Sequence, residues 1–153
     1  YANHYWVNPD KETVWKQVAA RFGSPTTVLP HAELLWDAEA FRRELRYASA
    51  VLYAALAAEI VLRRMATILH STRRLPVKKI DDLRTPELIT LVEKLLNREL
   101  PRFGQHELGE LFKLRNAIAH RGKTKVTLKQ ASEAIEAAEN LKRLLAQVGP
   151  TPK

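Results

Sequence analysis

Two side chains within residues 112–123, FKLRNAIAHRGK, stand out as groups that can do chemistry: Arg115 and His120. His120 is a candidate general acid or base, because histidine is the side chain that gains and loses a proton near neutral pH. Arg115 is a permanent cation with a planar set of hydrogen-bond donors. Both lie in a segment with helical periodicity, so the helix decides where each one points.

Arg115 falls near the middle of an apolar stripe on that helix. At about 100° per residue, its neighbours on the stripe are Leu108, Leu111, Phe112, Ile118 and Ala119. Burying a guanidinium without a partner costs several kcal/mol, so the position needs a reason. Either the side chain reaches the surface past a neighbouring helix, or it pairs with a buried carboxylate, or it faces a functional cleft.

Glu59 is a second charged residue on an apolar helical face. The leucines and alanines around it are Leu45, Ala48, Leu52, Ala55 and Leu56. Arg63 follows Glu59 at i,i+4 and is an obvious local partner. Arg115 and His120 are the alternative partners across a helix interface. The pattern predicts either a polar site shared by two helices or a structural ion pair between them.

His120 lies about 140° from Arg115 around a helix, so the two side chains diverge. They can serve one site only where the helix ends, or where a second chain closes over the groove. Gly122 suits the position just after a helix, so the helix is predicted to stop beside His120. The simpler alternative is that His120 only caps the helix end.

The elements that carry these residues are all predicted to be helices. Their expected bounds are 9–22, 31–70 with a break near Trp36, 86–99, 105–120 and 127–147. Thr85 before Pro86, and the pair Thr127 and Gln130, are typical helix starts. No stretch alternates with the period of a strand. The predicted fold class is all-α, an antiparallel up-and-down bundle of four or five helices with an extra N-terminal helix.

The composition limits the classes of function. A formal net charge of +8 favours an anionic partner such as RNA, DNA, a nucleotide or an acidic protein. The 153 residues include no cysteine, which excludes disulfides, zinc–thiolate centres and cysteine nucleophiles. The longest apolar run contains Glu59 and is too short to span a bilayer. We therefore expect a cytoplasmic protein without a membrane partner, and no carboxylate cluster predicts a metal site.

The order of Arg115, Asn116 and His120, in RNAIAH before a final long helix, resembles the signature of the HEPN superfamily. That signature is an arginine, four to six residues and a histidine, often with a polar residue directly after the arginine. The resemblance divides the chain into an N-terminal helical extension (1–36), a HEPN-like helical bundle (37–147) and a tail (148–153). It implies a metal-independent endoribonuclease of toxin–antitoxin, phage-defence or RNA-processing systems, without a cofactor.

The resemblance also assigns roles to residues. Arg115, Asn116 and His120 would be catalytic, and Glu59 and Arg121 would support them. The 2′-hydroxyl of RNA would attack the neighbouring phosphate and leave 2′,3′-cyclic phosphate ends. A homodimer would bring two motifs together in one composite active site.

Basic residues near the motif and after the long helix are predicted to contact RNA phosphates. They are Lys113, Lys123, Lys125, Arg63, Arg64, Arg73 and Arg74. Two solvated basic faces that bind nothing are the alternative.

Gly122 departs from a subset of the superfamily in which a tyrosine at that position is modified by a partner nucleotidyltransferase. Silencing by that route is not expected, while an antitoxin or another regulatory partner remains open. Two other functions also stay open. One is a non-catalytic member of the fold that binds a nucleotide or RNA or serves as a dimerisation module. The other is an unrelated basic interaction protein in which Arg115 and Glu59 form a structural pair.

Overall fold

The computed structural model describes residues 29–73, 79–97, 100, 102–123 and 125–148, with the backbone alone given for 71–73 and 102–107. Within these residues the chain forms five α-helices, one 3-10 helix and no strand. The helices are α1 (Pro30–Arg43), α2 (Tyr47–Arg73), α3 (Thr85–Leu96), α4 (Arg102–Arg121) and α5 (Leu128–Val148), and the 3-10 helix spans Ile80–Asp82. The predicted all-α helical bundle is confirmed. The helix expected at 9–22 and the tail at 149–153 lie outside the described residues.

Helix α2 runs through the centre of the bundle. It packs against the other four α-helices and the 3-10 helix, and most extensively against α5 and α1. Most residues in its middle are apolar and buried, which is typical of a helix enclosed by its neighbours. Five of its alanines are fully buried: Ala50, Ala54, Ala57, Ala58 and Ala66. These short side chains leave room for helices on several sides, so α2 sets the positions of the elements around it.

One hydrophobic core joins the helices. Leu34 and Leu35 precede the predicted division at residue 37 and Ala38 follows it, yet all three are buried in the same cluster. Helix α1 thus runs through residue 37 and belongs to the same core as the other helices. The division of the chain at that residue stays a prediction from the resemblance. None of the helices described is long and apolar enough to cross a membrane.

The break predicted near Trp36 is wrong, because α1 continues through that residue and the chain turns at Leu45. The N–H of Leu45 donates to the carbonyl of Arg42 at 3.1 Å, and the N–H of Arg46 donates to that of Phe41 at 2.8 Å. This is the bonding pattern of a Schellman turn. Leu45 has a φ of 61° and is 73% exposed. It therefore belongs to the turn and not to the apolar face of α2.

The starts of α3 and α5 are fixed by local hydrogen bonds. The N–H of Thr127 donates to Oε1 of Gln130 at 3.0 Å, and the N–H of Gln130 donates to Oγ1 of Thr127 at 3.1 Å. The predicted capping box is thus confirmed. At α3 the capping position is Arg84, one residue before the predicted Thr85, and its N–H donates to Oε2 of Glu87 at 2.9 Å.

His31 is a buried histidine near the start of α1. It is 2% exposed, and its Nδ1 has no hydrogen-bond partner. Burial, together with the charges of Arg64 on α2 and Lys142 on α5, lowers the pKa of His31 to about 4. Burial is the larger cause, because desolvation disfavours the charged imidazolium.

We expect His31 to make the fold sensitive to mild acid. Its pKa lies near 6.5 in the unfolded chain and lower in the fold, so the unfolded chain binds the extra proton between these values. Its stabilising contribution is present above pH 6.5 and is lost as the pH falls from there through about 4, a change of up to about 3 kcal/mol. Urea unfolding between pH 7 and 4.5 measures it, with His31→Gln as the reference. Parallel pH profiles for the two proteins would contradict the expectation.

Leu45 offers a test of the turn before α2. A left-handed φ strains any residue that carries a Cβ, and glycine removes that strain. We expect Leu45→Gly to raise the free energy of unfolding by about 1 kcal/mol. Leu128→Gly is the matched control, because Leu128 is also exposed but is the first residue of α5 with helical backbone, where glycine relieves no left-handed strain and should not raise stability. Urea denaturation measures both, and a loss of stability in Leu45→Gly would contradict the assignment of the turn.

Candidate functional site

Three charged side chains meet where α2 packs against α4: Glu59 and Arg63 from α2, and Arg115 from α4. Oε1 of Glu59 lies 3.0 Å from Nη2 of Arg63, and Oε2 of Glu59 lies 3.9 Å from Nη1 of Arg115. The carboxylate of Glu59 is buried. The sequence offered Glu59 either a local partner on α2 or a partner across the helix interface, and the structure contains both. His120 is not its partner.

Arg63 is the more firmly held of the two arginines. Its Nη1 donates to the carbonyl of Ile80 at 2.8 Å, and its Nη2 donates to the carbonyl of Leu83 at 3.0 Å and to Glu59 at 3.0 Å. The side chain is 21% exposed. Arg63 therefore fastens the connection between α2 and α3 to the middle of α2. A contact of Arg63 with RNA stays a prediction, and it would compete with these bonds.

Arg115 is held more loosely. Its distance of 3.9 Å to Glu59 is too long for a hydrogen bond. Its Nε is buried and has no hydrogen-bond partner, and its guanidinium carbon lies 5.7 Å from the centre of the Phe112 ring. The side chain is 24% exposed. Arg115 thus keeps donor capacity that no protein group uses.

The apolar stripe around Arg115 packs against this chain's own core. Leu108, Leu111 and Phe112 are buried there, as is Ile118 one turn further on. α4 makes its contacts with α2 and α5. Arg115 consequently lies at the edge of the core with its charge near Glu59, which combines partial exposure with a carboxylate partner.

Asn116 and His120 lie on a different side of α4. Both are exposed, as is Lys113, and the three fall within about 60° of one another around the helix. The predicted divergence of the two side chains is therefore seen. One copy of α4 presents the asparagine and the histidine outwards, beside an arginine turned towards Glu59.

The end of α4 has the geometry expected from its glycine. α4 ends at Arg121, and Gly122 follows with a φ of 64°. The N–H of Lys123 then donates back to the carbonyl of Ala117 at 3.1 Å. Left-handed backbone of this kind is easiest for glycine. His120 consequently lies in the last turn of the helix.

Apart from Arg63, the predicted RNA-binding residues fall into three groups. Lys113, Lys123 and Lys125 are exposed near α4, and so is the predicted supporting residue Arg121. Arg64 is exposed on α2. The side chains of Arg73 and Arg74 lie outside the described residues. In the parts of the chain that the structure covers, no group of histidine or acidic side chains could hold a metal ion.

Two features of the site could not be read from the sequence. The carbonyls of Ile80 and Leu83 accept hydrogen bonds from Arg63, and backbone carbonyls have no residue-specific signal. The ring of Phe112 below Arg115 had only its i,i+3 spacing as a signal. These contacts explain why the two arginines beside Glu59 differ in how tightly they are held.

No protein-family model, curated protein or solved structure matches this chain.

The unequal bonding of the two arginines predicts unequal losses of stability. Arg63→Met leaves two carbonyls and Glu59 without their donor, so we expect a loss of about 2–4 kcal/mol. Arg115→Met keeps the packing of the aliphatic stem and removes only a long ion pair, so we expect a change within about 1 kcal/mol. Urea denaturation at pH 7 measures both values.

Arg143→Met is the matched control, because Arg143 is an exposed arginine on α5. We expect a change of less than about 0.5 kcal/mol for it. A loss for Arg115→Met as large as that for Arg63→Met would make Arg115 a structural residue.

Proposed function

We propose that this protein is a metal-independent endoribonuclease of HEPN type. The observation that carries the proposal is the end of α4. Arg115 has a buried Nε without a partner, and the exposed Asn116 and His120 follow it before the helix ends at Gly122. A cation with unused donors and an accessible acid–base group suit a reaction at phosphorus when both reach one phosphate.

The reaction that fits these groups uses the nucleophile that RNA itself carries. The 2′-oxygen attacks the adjacent phosphorus, the bond from O2′ to phosphorus forms, and the bond from phosphorus to O5′ breaks. A base takes the proton from the 2′-hydroxyl and an acid gives a proton to the leaving O5′, so the charges balance. His120 is suited to either step. Arg115 would stabilise the charge on the phosphate oxygens, and Asn116 would orient the phosphate.

A homodimer would supply the composite site. Because Arg115 and His120 diverge by about 140° on one helix, a second copy is the simplest way to place an arginine and a histidine on one phosphate. The outward face with Lys113, Asn116 and His120 is exposed and thus available for such an approach. Gly109, two turns before Asn116 on α4, has open space where a Cβ would lie, so a second helix would meet little bulk there.

The charge around the motif suits RNA. Between Glu110 and Glu133 the sequence has no acidic residue. The exposed basic residues in this interval are Lys113, Arg121, Lys123, Lys125 and Lys129. Such a surface attracts phosphates without reading the sequence of the bases.

A non-catalytic member of the same fold is the second candidate. The observation that favours it is the carboxylate of Glu59, 3.9 Å from Arg115, because an internal ion pair gives the arginine a role that needs no reaction. Such a protein would bind RNA or a nucleotide, or serve as a dimerisation module.

The proposed chemistry indicates only a broad class of cellular role. An endoribonuclease of this type would act as a toxin, in phage defence or in RNA processing. An antitoxin or another regulatory partner would then be needed to control it. Gly122 lacks the hydroxyl that nucleotidyltransferase silencing modifies, so control by that route is not proposed.

Cleavage of RNA in excess EDTA tests the proposal. We expect 2′,3′-cyclic phosphate and 5′-hydroxyl ends from total RNA with the wild-type protein. His120→Ala should lower the rate by about 100-fold or more, because it removes the acid–base group. Arg115→Ala should lower the rate by about 100- to 1000-fold, because it removes charge stabilisation. End-group analysis of the products measures both.

Arg143→Ala on α5 is the control for Arg115→Ala, and this control should cleave at the wild-type rate. Equal cleavage by wild type, His120→Ala and Arg115→Ala would exclude the proposed site. Salt-sensitive RNA binding without any cyclic ends would favour the non-catalytic candidate.

A further inference from the structure

Glu59 lies between two guanidinium groups, and its carboxylate is closer to one of them than to the other. It is 3.0 Å from Arg63 and 3.9 Å from Arg115. The shorter contact is also a hydrogen bond, and the longer one is not. One carboxylate therefore serves as the near partner of one arginine and the distant partner of the other.

Arg63 is what keeps Glu59 in this position. Its guanidinium is fixed by the carbonyls of Ile80 and Leu83 as well as by Glu59. A buried carboxylate needs compensating charge, and Arg63 supplies it whether or not Arg115 remains close. Arg115 is consequently the partner that can leave with the smaller disturbance.

We propose that Glu59 is the internal counter-ion of Arg115, which positions the arginine in the free protein and gives it up when a phosphate group binds there. Glu59 thus competes with the ligand for the same guanidinium and weakens anion binding. The identity of the ligand as the phosphodiester of RNA rests on the proposed function. The competition itself concerns any phosphate at Arg115.

The competition predicts opposite effects for two neighbouring residues. Removing the charge of Glu59 leaves Arg115 without a rival anion, so phosphate binds more tightly. Removing Arg63 leaves Arg115 as the only cation in contact with Glu59, so their pair tightens and phosphate binds more weakly. A purely structural role would instead make both variants lose binding, because both would lose folded protein.

A labelled single-stranded oligodeoxynucleotide is the probe, since it carries phosphates but has no 2′-hydroxyl to react. Fluorescence anisotropy at low salt measures its Kd. We expect Glu59→Gln to lower the Kd by about 3- to 10-fold and Arg63→Met to raise it by a similar factor. Glu136→Gln and Arg143→Met make the same changes of charge at exposed positions on α5, and each should change the Kd by less than about 2-fold.

Arg115→Met completes the test. In that background Glu59→Gln should no longer tighten binding beyond the effect of Glu136→Gln, because the guanidinium for which Glu59 and phosphate compete is gone. A gain that persists without Arg115 would overturn the proposal, as would losses of binding in both Glu59→Gln and Arg63→Met. The proposal is also overturned if Glu59→Gln lowers the Kd of neither the oligonucleotide nor inorganic phosphate relative to the wild type.

Glu59→Asp serves if Glu59→Gln does not fold. The shorter side chain keeps the negative charge but draws it back from Arg115, so we expect a smaller decrease in Kd in the same direction.

The binding measurements on these variants do not depend on whether the protein cleaves RNA. A protein that cleaves no RNA can still show the coupling between Glu59 and Arg115, and a ribonuclease can lack it. Where RNA is cleaved, Glu59→Gln should lower KM and Arg63→Met should raise it. A structural defect alone would lower the active fraction, and hence kcat, without moving KM.

Discussion

A carboxylate inside a mostly apolar helix is the constraint on which much of this structure depends. Glu59 is buried in the central helix α2, and an isolated charge there would be very costly. Arg63 and Arg115 supply the compensation from two elements of the bundle. Through Arg63 the same carboxylate is linked to the connection that leads into α3. The α2–α3 connection and the side chain of Arg115 on α4 are therefore linked through one carboxylate.

The two arginines beside Glu59 differ in how much of their hydrogen-bonding capacity the fold uses. Arg63 has three acceptors within hydrogen-bond distance, which commits it to the fold. Arg115 has a distant carboxylate, an aromatic ring and an unpartnered Nε, which leaves it responsive to a ligand. Loose pairing at a partly exposed position costs little stability. It is also what a phosphate-binding group requires, since strong internal bonds would have to be broken before the ligand could bind.

Helix α4 carries two faces that serve different purposes. One face buries Leu108, Leu111 and Phe112 in the core, while the other exposes Asn116 and His120. The left-handed Gly122 ends the helix directly after this outward face. A composite site between two copies reconciles the divergence of Arg115 and His120 with joint action on one phosphate, and this geometric reason motivates the proposed dimer.

Local signals in the sequence were enough where neighbouring residues decide the structure. The capping box of Thr127 and Gln130 was predicted, because both partners lie within one turn. The position of Gly122 was predicted for the same reason. The break before α2 was misplaced, since Leu45 adopts left-handed backbone without the glycine that usually marks it.

By itself the sequence determined that the chain is helical, that Arg115 lies on an apolar stripe and that His120 points elsewhere, because these follow from helical periodicity. It also carried the order of residues on which the proposed ribonuclease function rests. The tertiary structure alone decided that Glu59 serves both arginines and that Arg63 is committed to Ile80 and Leu83. These contacts join residues far apart in the chain, two of them through backbone carbonyls, so only the packing of α2 against α4 and the connection to α3 could establish them.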